Sequence, residues 1–177
     1  MNTLNNAGLF LINTLFNLYL FVLTIRFILA YARANYFNPI TQLIVKITQP
    51  LVAPVRRLIP NYRNIELATL IWIIIFEIVK ILILIALTIR IFSTVEIIWL
   101  VSSDTLKLFL STFFYAILFR ALLSWFQPGY SPAGQLLEQV TAPIMHPLQR
   151  LIPPISGIDI TPIPALIILQ LLIILLP

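Results

Sequence analysis

Residues 48–60 read TQPLVAPVRRLIP, and residues 141–153 read TAPIMHPLQRLIP. Aligned, they give T-x-P-h-h-x-P-h-x-R-L-I-P, where h is apolar. Thr48, Pro50, Pro54, Arg57 and Pro60 recur in register as Thr141, Pro143, Pro147, Arg150 and Pro153. Each copy lies between two long apolar segments. The chain therefore reads as one hairpin-like membrane unit used twice, with the first unit over 1–90 and the second over 91–177.

Composition agrees with a lipid environment. Of the 177 residues, 60% are hydrophobic and 10% are charged, with a mean hydropathy of +1.03. A soluble domain carries roughly 25% charged residues, so this chain has too little polar surface for water. The absence of cysteine excludes disulfides, Cys-ligated metal centres and thiol catalysis. No basic run interleaved with aromatics points to nucleic acid.

Four apolar segments, at about 8–31, 65–89, 106–126 and 158–176, are read as crossing helices, since about 20 residues span the hydrocarbon core. The first has no basic residue ahead of it and is too long for a signal-peptide core, so it is expected to be an uncleaved membrane helix. Asn13 and Asn17, spaced i,i+4, share a face expected to meet another helix. Residues 33–63 form a different kind of segment. Ile40, Leu43, Ile44, Ile47 and Leu51 are expected on one face of a short amphipathic helix suited to lying at the membrane interface, with Thr41, Gln42, Lys46 and Gln49 on the other. Leu136, Leu137, Val140 and Ile144 repeat that spacing. Pro50 or Pro54 is expected to end or kink the helix, and residues 90–105 are read as a connector. Arg33, Lys46, Arg56, Arg57 and Arg63 weight the first motif connector with positive charge. By the positive-inside rule both motif connectors are expected in the cytoplasm. The two units would then be parallel rather than inverted repeats.

The doubled motif resembles the YggT (YlmG) family of small bacterial and plastid membrane proteins. The residues carrying the likeness are Thr48, Pro50, Pro54, Arg56, Arg57, Ile59 and Pro60 with Ile65 and Glu66, and Thr141, Pro143, Pro147, Arg150, Ile152 and Pro153 with Ile158 and Asp159. Gln149 replaces the first arginine in copy two, and Glu66 stands where the family has Asp. The resemblance implies an integral protein of the bacterial inner membrane with no known reaction, in families linked with cell division, osmotic tolerance and plastid nucleoid or cytochrome assembly.

Three sets of residues invite a functional reading. The motif residues, with Arg56, Arg57 and Arg150 foremost, could take anionic lipid headgroups or an acidic partner segment; the plain alternative is a topology anchor. Arg26 with Glu66, and Arg120 with Asp159, are expected to pair near the cytoplasmic helix ends, Arg120 being one position off the repeat register. Glu77 and Lys80, spaced i,i+3, can neutralise each other or mark a transport path. His146 without cysteine or clustered carboxylates makes a poor metal site. No catalytic set and no cofactor site is expected. The leading expectation is a membrane scaffold or assembly factor that binds lipids or membrane proteins. The alternative is a small oligomeric channel or transport accessory.

Overall fold

The computed structural model describes residues 3–88, 92–126, 131–152 and 159–176. Arg90, Pro153, Gly129 and Gly157 lie outside these. The described residues form six helices: α1 (Thr3–Tyr31), α2 (Pro39–Leu58), α3 (Leu67–Thr88), α4 (Thr94–Phe126), α5 (Pro132–Leu151) and α6 (Pro162–Leu175). They contain no strand, only an isolated bridge between Tyr62 and Ile65. Helix α1 packs along α3 and α4 along α6; α2 lies across α1 and α3, and α5 across α4. Leu20, Leu23, Val52, Ala68 and Ile73 form the core of the first group, and Ile117, Met145, Ala165 and Leu169 that of the second.

Among the described residues, three helices are long and apolar enough to cross a membrane: Asn6–Tyr31, Leu67–Leu87 and Thr94–Ser124. The segment expected to span from about 158 departs from that reading. Its helix starts only at Pro162 and has 14 residues, about 21 Å at the α-helical rise. Pro162 supplies a preset first helical residue. Just before it, the Asp159 carboxylate accepts from the Thr161 N–H and hydroxyl, an Asx turn that keeps the preceding chain out of the helix.

The expected connector at 90–105 is largely helix. Helix α4 runs for 33 residues from Thr94, taking in Glu96, Trp99 and Asp104. Its start is a capping box: Ser93 N–H donates to Glu96 Oε2 at 2.7 Å, and Glu96 N–H to Ser93 Oγ at 3.3 Å.

The motif prolines do not end their helices. Pro50 and Pro54 lie inside α2, and Pro143 and Pro147 inside α5. A helix proline removes the donor to the carbonyl four residues back. In α2 those carbonyls belong to Lys46 and Pro50, which share one exposed face with Pro54. Water or headgroups can solvate that face, so the helix survives. Both helices begin on sequence-legible caps. Asn38 Oδ1 accepts from Ile40 N–H at 2.9 Å, Ser131 Oγ accepts from Gly134 N–H at 3.0 Å, and a proline follows each.

The buried face of α2 takes in Thr41 from the face expected to be polar. Thr41, Ile44, Thr48 and Val52 are buried, whereas Leu43 and Ile47 are about half exposed. In α5 the buried set is Leu136, Val140, Thr141 and Met145, with Ile144 only half-buried. Threonines thus line the side of α2 that packs on the protein, while Leu43 and Ile47 face outward.

Two loop arginines hold positive φ, Arg33 at 53° and Arg63 at 54°. Arg33 closes α1 in a Schellman turn: Ala34 N–H reaches the Leu29 carbonyl at 2.9 Å and Arg33 N–H that of Ala30 at 3.2 Å. Its Nε then donates to Asn64 Oδ1 at 2.9 Å, tying the end of α1 to the loop before α3.

Candidate functional site

Arg26 projects from the last turns of α1 into the angle between α2 and α3 and is 4% exposed. A guanidinium has five N–H donors, and each has a partner within reach. Nε donates to Glu66 Oε2 at 2.9 Å and one terminal nitrogen to Glu66 Oε1 at 3.0 Å, a bidentate fork. The same nitrogen reaches Gln49 Oε1 at 3.0 Å. The other meets Thr48 Oγ1 at 2.8 Å and the Val45 carbonyl at 3.5 Å. Thr48 in turn donates to the Ile44 carbonyl at 2.6 Å. Glu66 also accepts from Thr69 Oγ1 at 2.6 Å and has Arg56 at 3.6 Å. The expected pairing of Arg26 with Glu66 is therefore present. Burial pushes the Glu66 carboxyl up, but the hydrogen bonds from Arg26 and Thr69 and the charges of Arg26 and Arg56 outweigh it and hold its pKa below the ordinary range. Trp72 Nε1 adds a bond to the Leu51 carbonyl at 2.7 Å, fastening the proline-bearing turn of α2 onto α3.

Copy two is a looser version. Arg120 Nη1 donates to Thr141 Oγ1 at 2.9 Å, the counterpart of the Arg26–Thr48 bond despite the one-residue slip in register. Thr141 donates to the Leu137 carbonyl at 2.8 Å. The expected ion pair between Arg120 and Asp159 is absent among the described residues. Asp159, one methylene shorter than Glu66, turns instead to Gln149 Nε2 at 2.8 Å and to Thr161. Burial raises the Asp159 pKa, but the hydrogen bonds from Thr161 and Gln149 and the charge of Arg120 bring it below the ordinary aspartate range.

The motif thus divides into two halves. Thr48 and Thr141 are fully buried and hold arginines. Pro50, Pro54, Pro60 and Pro147 are exposed, as are Arg56, Arg57, Arg150, Lys46 and His146, while Pro143 is half-buried. Arg56, Arg57 and Arg150 sit in the last turns of α2 and α5, where helix dipoles favour positive charge. Beside Lys46, the outer face of α2 carries an open groove of about 590 Å³ lined by Tyr36, Gln42, Gln49, Pro50 and Ala53.

A second polar cluster lies toward the opposite helix ends. Lys80 Nζ stands 2.5 Å from Glu77 Oε2 and 3.5 Å from Asp104 of α4, and donates to Asn17 Oδ1 of α1 at 3.2 Å. The Lys80 ammonium is thus the ion-pair partner of the buried Glu77 Oε2. Asn17 Nδ2 donates to Asn13 Oδ1 at 3.3 Å. The asparagine face of α1 does meet another helix, α3, through Lys80. These groups line a cavity of about 450 Å³ with Lys107, Ser111, Thr112 and Tyr115. Sequence reasoning missed Asp104, which it had assigned to a connector; the Ser93–Glu96 capping signal places it on α4. Among the described residues no cluster of three or more His, Cys, Asp or Glu could hold a metal ion.

Described residues that form only helices, three of them apolar and of membrane length, braced by contacts from Arg26 and Arg120 to proline-bearing helices, have the build of a helical membrane protein. Its family is specific: the CCB3/YggT profile matches residues 5–87 and 99–177, and the chain belongs to the CCB3/YggT family. It is 37% identical to an uncharacterised protein of Pseudomonas aeruginosa, covering 96% of this chain and 87% of that one. It is 39% identical to a Vibrio alginolyticus protein described only by its place in the proC 3′ region, covering 88% and 85%. It is 33% identical to YggT of Escherichia coli K12, covering 97% and 88%. No solved structure matches.

Proposed function

We propose that this protein is a non-enzymatic scaffold or assembly factor of the bacterial inner membrane. In this reading four segments cross the bilayer as two parallel units, with the short α6 as the fourth. Helices α2 and α5 lie at the cytoplasmic surface and bind anionic lipids or membrane-protein segments, in the service of cell division or envelope organisation. The observation that carries the reading is the division of labour in the motif. Its threonines are spent on holding the buried Arg26 and the half-buried Arg120, which pins α2 and α5 in place, while Lys46, Arg56, Arg57 and Arg150 face outward. Basic groups at an anionic leaflet are worth about 1 kcal/mol each. The excess of Lys and Arg at that end is what supports a cytoplasmic placement.

The test is lipid and protein retention in nanodiscs of mixed phosphatidylglycerol and phosphatidylcholine, read by native mass spectrometry and crosslinking. The Arg56→Gln, Arg57→Gln double variant is expected to lose most of the phosphatidylglycerol preference. Parent protein with no lipid preference and no crosslinked partner removes the proposal. The second reading, a small oligomeric channel or transport accessory acting in osmotic tolerance, draws on the charged cavity around Glu77 and Lys80. Ion flux in liposomes that vanishes in Glu77→Gln favours it, and parent protein without flux ends it.

A further inference from the structure

The seam between the two halves of the chain holds an apolar cavity of about 230 Å³. Phe27 and Tyr31 of α1 and Ile65 of the loop before α3 line it from the first half. Phe109 and Phe113 of α4 and Pro143 of α5 line it from the second. Phe27 and Phe109 pack edge to face, with ring centres 5.5 Å apart, and make an aromatic wall. The only polar side-chain group in the lining is the Tyr31 hydroxyl. At roughly 30 Å³ per water the space could take several, but each needs about two to four polar partners. Well-packed interiors carry few voids larger than a water. The cavity therefore suits an apolar occupant.

Its rim is basic. Arg33 follows the lining residue Tyr31 by two positions, and Arg63 precedes the lining residue Ile65 by two. Arg33 Nε donates to Asn64 Oδ1 at 2.9 Å, which joins the two loops at this edge. Tyr62 N–H donates to the Ile65 carbonyl at 3.2 Å and Ile65 N–H to the Tyr62 carbonyl at 2.9 Å, closing a turn with Arg63 and Asn64 at its tip. Both arginines are exposed, and among the described residues neither stands in an ion pair. Both also hold left-handed backbone, where glycine or asparagine fits with less strain. A topology anchor requires charge near a helix end. It does not require arginine at two strained positions, tied together beside an apolar cavity. Long side chains kept at strained positions are a mark of functional sites.

Position names the occupant. Tyr31 ends the membrane-length segment Asn6–Tyr31, and Phe27 lies about 6 Å further in along the helix. The cavity thus runs inward from the end of a span, where headgroups give way to hydrocarbon. Phospholipids carry an anionic group and an apolar chain on one body at this level, and the planar fork of a guanidinium matches phosphate.

We infer that this seam is a binding site for one anionic phospholipid, its phosphate at Arg33 and Arg63 and part of one acyl chain among Phe27, Phe109 and Phe113. The site uses none of the outward-facing basic residues of α2 and α5, and it stands independently of the scaffold reading.

The probes are phosphatidylglycerol, phosphatidylcholine with the same chains, and glycerophosphoglycerol, which lacks chains. Native mass spectrometry of the full chain from mixed nanodiscs, at rising collision energy, reads the last lipid retained. One phosphatidylglycerol per chain is expected to outlast the rest, and glycerophosphoglycerol should not displace it. Arg33→Gln with Arg63→Gln should weaken retention about tenfold, the scale of one to two basic groups at an anionic phosphate. Ile65→Trp, which fills space and leaves every charge, should weaken it comparably. Unchanged helicity and melting in detergent show that these variants fold. Three results overturn the inference: no last phosphatidylglycerol on the parent protein, its displacement by the chain-free analogue, or its full retention by both folded variants. The first two need no variant. The Arg56→Gln, Arg57→Gln variant should keep this last lipid while losing phosphatidylglycerol that is stripped earlier, so failure here and failure of the scaffold reading are separable.

Discussion

Arg26 and Arg120 do the same job with different commitment. Each reaches from a long helix to the threonine that opens its motif copy, at 2.8 and 2.9 Å. Around Arg26 the pocket is complete: a bidentate carboxylate, an amide, a hydroxyl and a carbonyl take all five donors. Around Arg120 the carboxylate is one methylene short and faces Gln149 and Thr161. Arg120 itself is half-buried. A shared motif thus fixes the placement of a surface helix, while the residues around it set how strongly it is fixed. Copy one is the more fully bonded clamp and copy two the looser one.

Removing the guanidinia should break this comparison most sharply. Arg26→Leu leaves Glu66 4% exposed and without its main partner, and stranding a buried charge costs about 3–5 kcal/mol. Arg120→Leu strands nothing of that kind and should cost about 1 kcal/mol, near the net worth of one hydrogen bond. Unfolding in detergent micelles, followed by circular dichroism, measures both. Equal losses would mean that the two units are equally locked.

Thr48→Val and Thr141→Val come next. Both hydroxyls are buried and each accepts from an arginine. Losing Thr48 leaves a donor of a fully enclosed guanidinium unmatched, at about 1–3 kcal/mol. Arg120 can turn to water, so Thr141→Val should fall at the bottom of that range. The same melts decide it, and a larger loss at Thr141 reverses which unit is the firmer.

Acid should loosen the clamp through Glu66. Its folded pKa lies below the ordinary value of 4.5, so the folded state favours the charged form. That stabilisation is complete above the unfolded pKa and is lost as pH falls through the folded one. Stability should therefore drop below about pH 4.5, and Glu66→Gln should flatten that limb while lowering the plateau. A parent melt that does not change between pH 6 and pH 3 contradicts the lock.

Which of these features could be read from the sequence follows physical lines. The doubled motif, the long apolar helices and the Arg26–Glu66 pair depend on residue type and spacing, and spacing survives without coordinates. The buried threonine face of α2 does not, because Leu43 and Ile47 satisfy the same periodicity whether they face protein or lipid. Prolines inside a helix read as breaks, since their tolerance depends on which face is solvated. The early start of α4 was legible in Ser93 and Glu96. Missing it hid Asp104, and with it the third helix of the cavity. The loss of the Arg120–Asp159 pair turns on one methylene and on Pro162, which stands where the first unit has Thr69. No periodicity reports such a difference.

The smallest effect separates motif from surroundings. Gln149 is the counterpart of Arg56, and each faces the carboxylate that follows its motif, at 2.8 and 3.6 Å. Gln149→Arg should convert a neutral hydrogen bond into a charge-assisted one. Arg56→Gln should remove a charge whose side chain is 49% exposed. Screening limits either change to under about 1 kcal/mol. Their signs should be opposite: a slightly firmer second unit and a slightly looser first, with the Glu66 carboxyl moving up toward its ordinary range. If Gln149→Arg instead also raises the cost of Arg120→Leu toward that of Arg26→Leu, the missing arginine is what makes copy two the looser unit. If that cost stays near 1 kcal/mol, the short carboxylate is responsible, and Asp159→Glu becomes the substitution that should close the second lock.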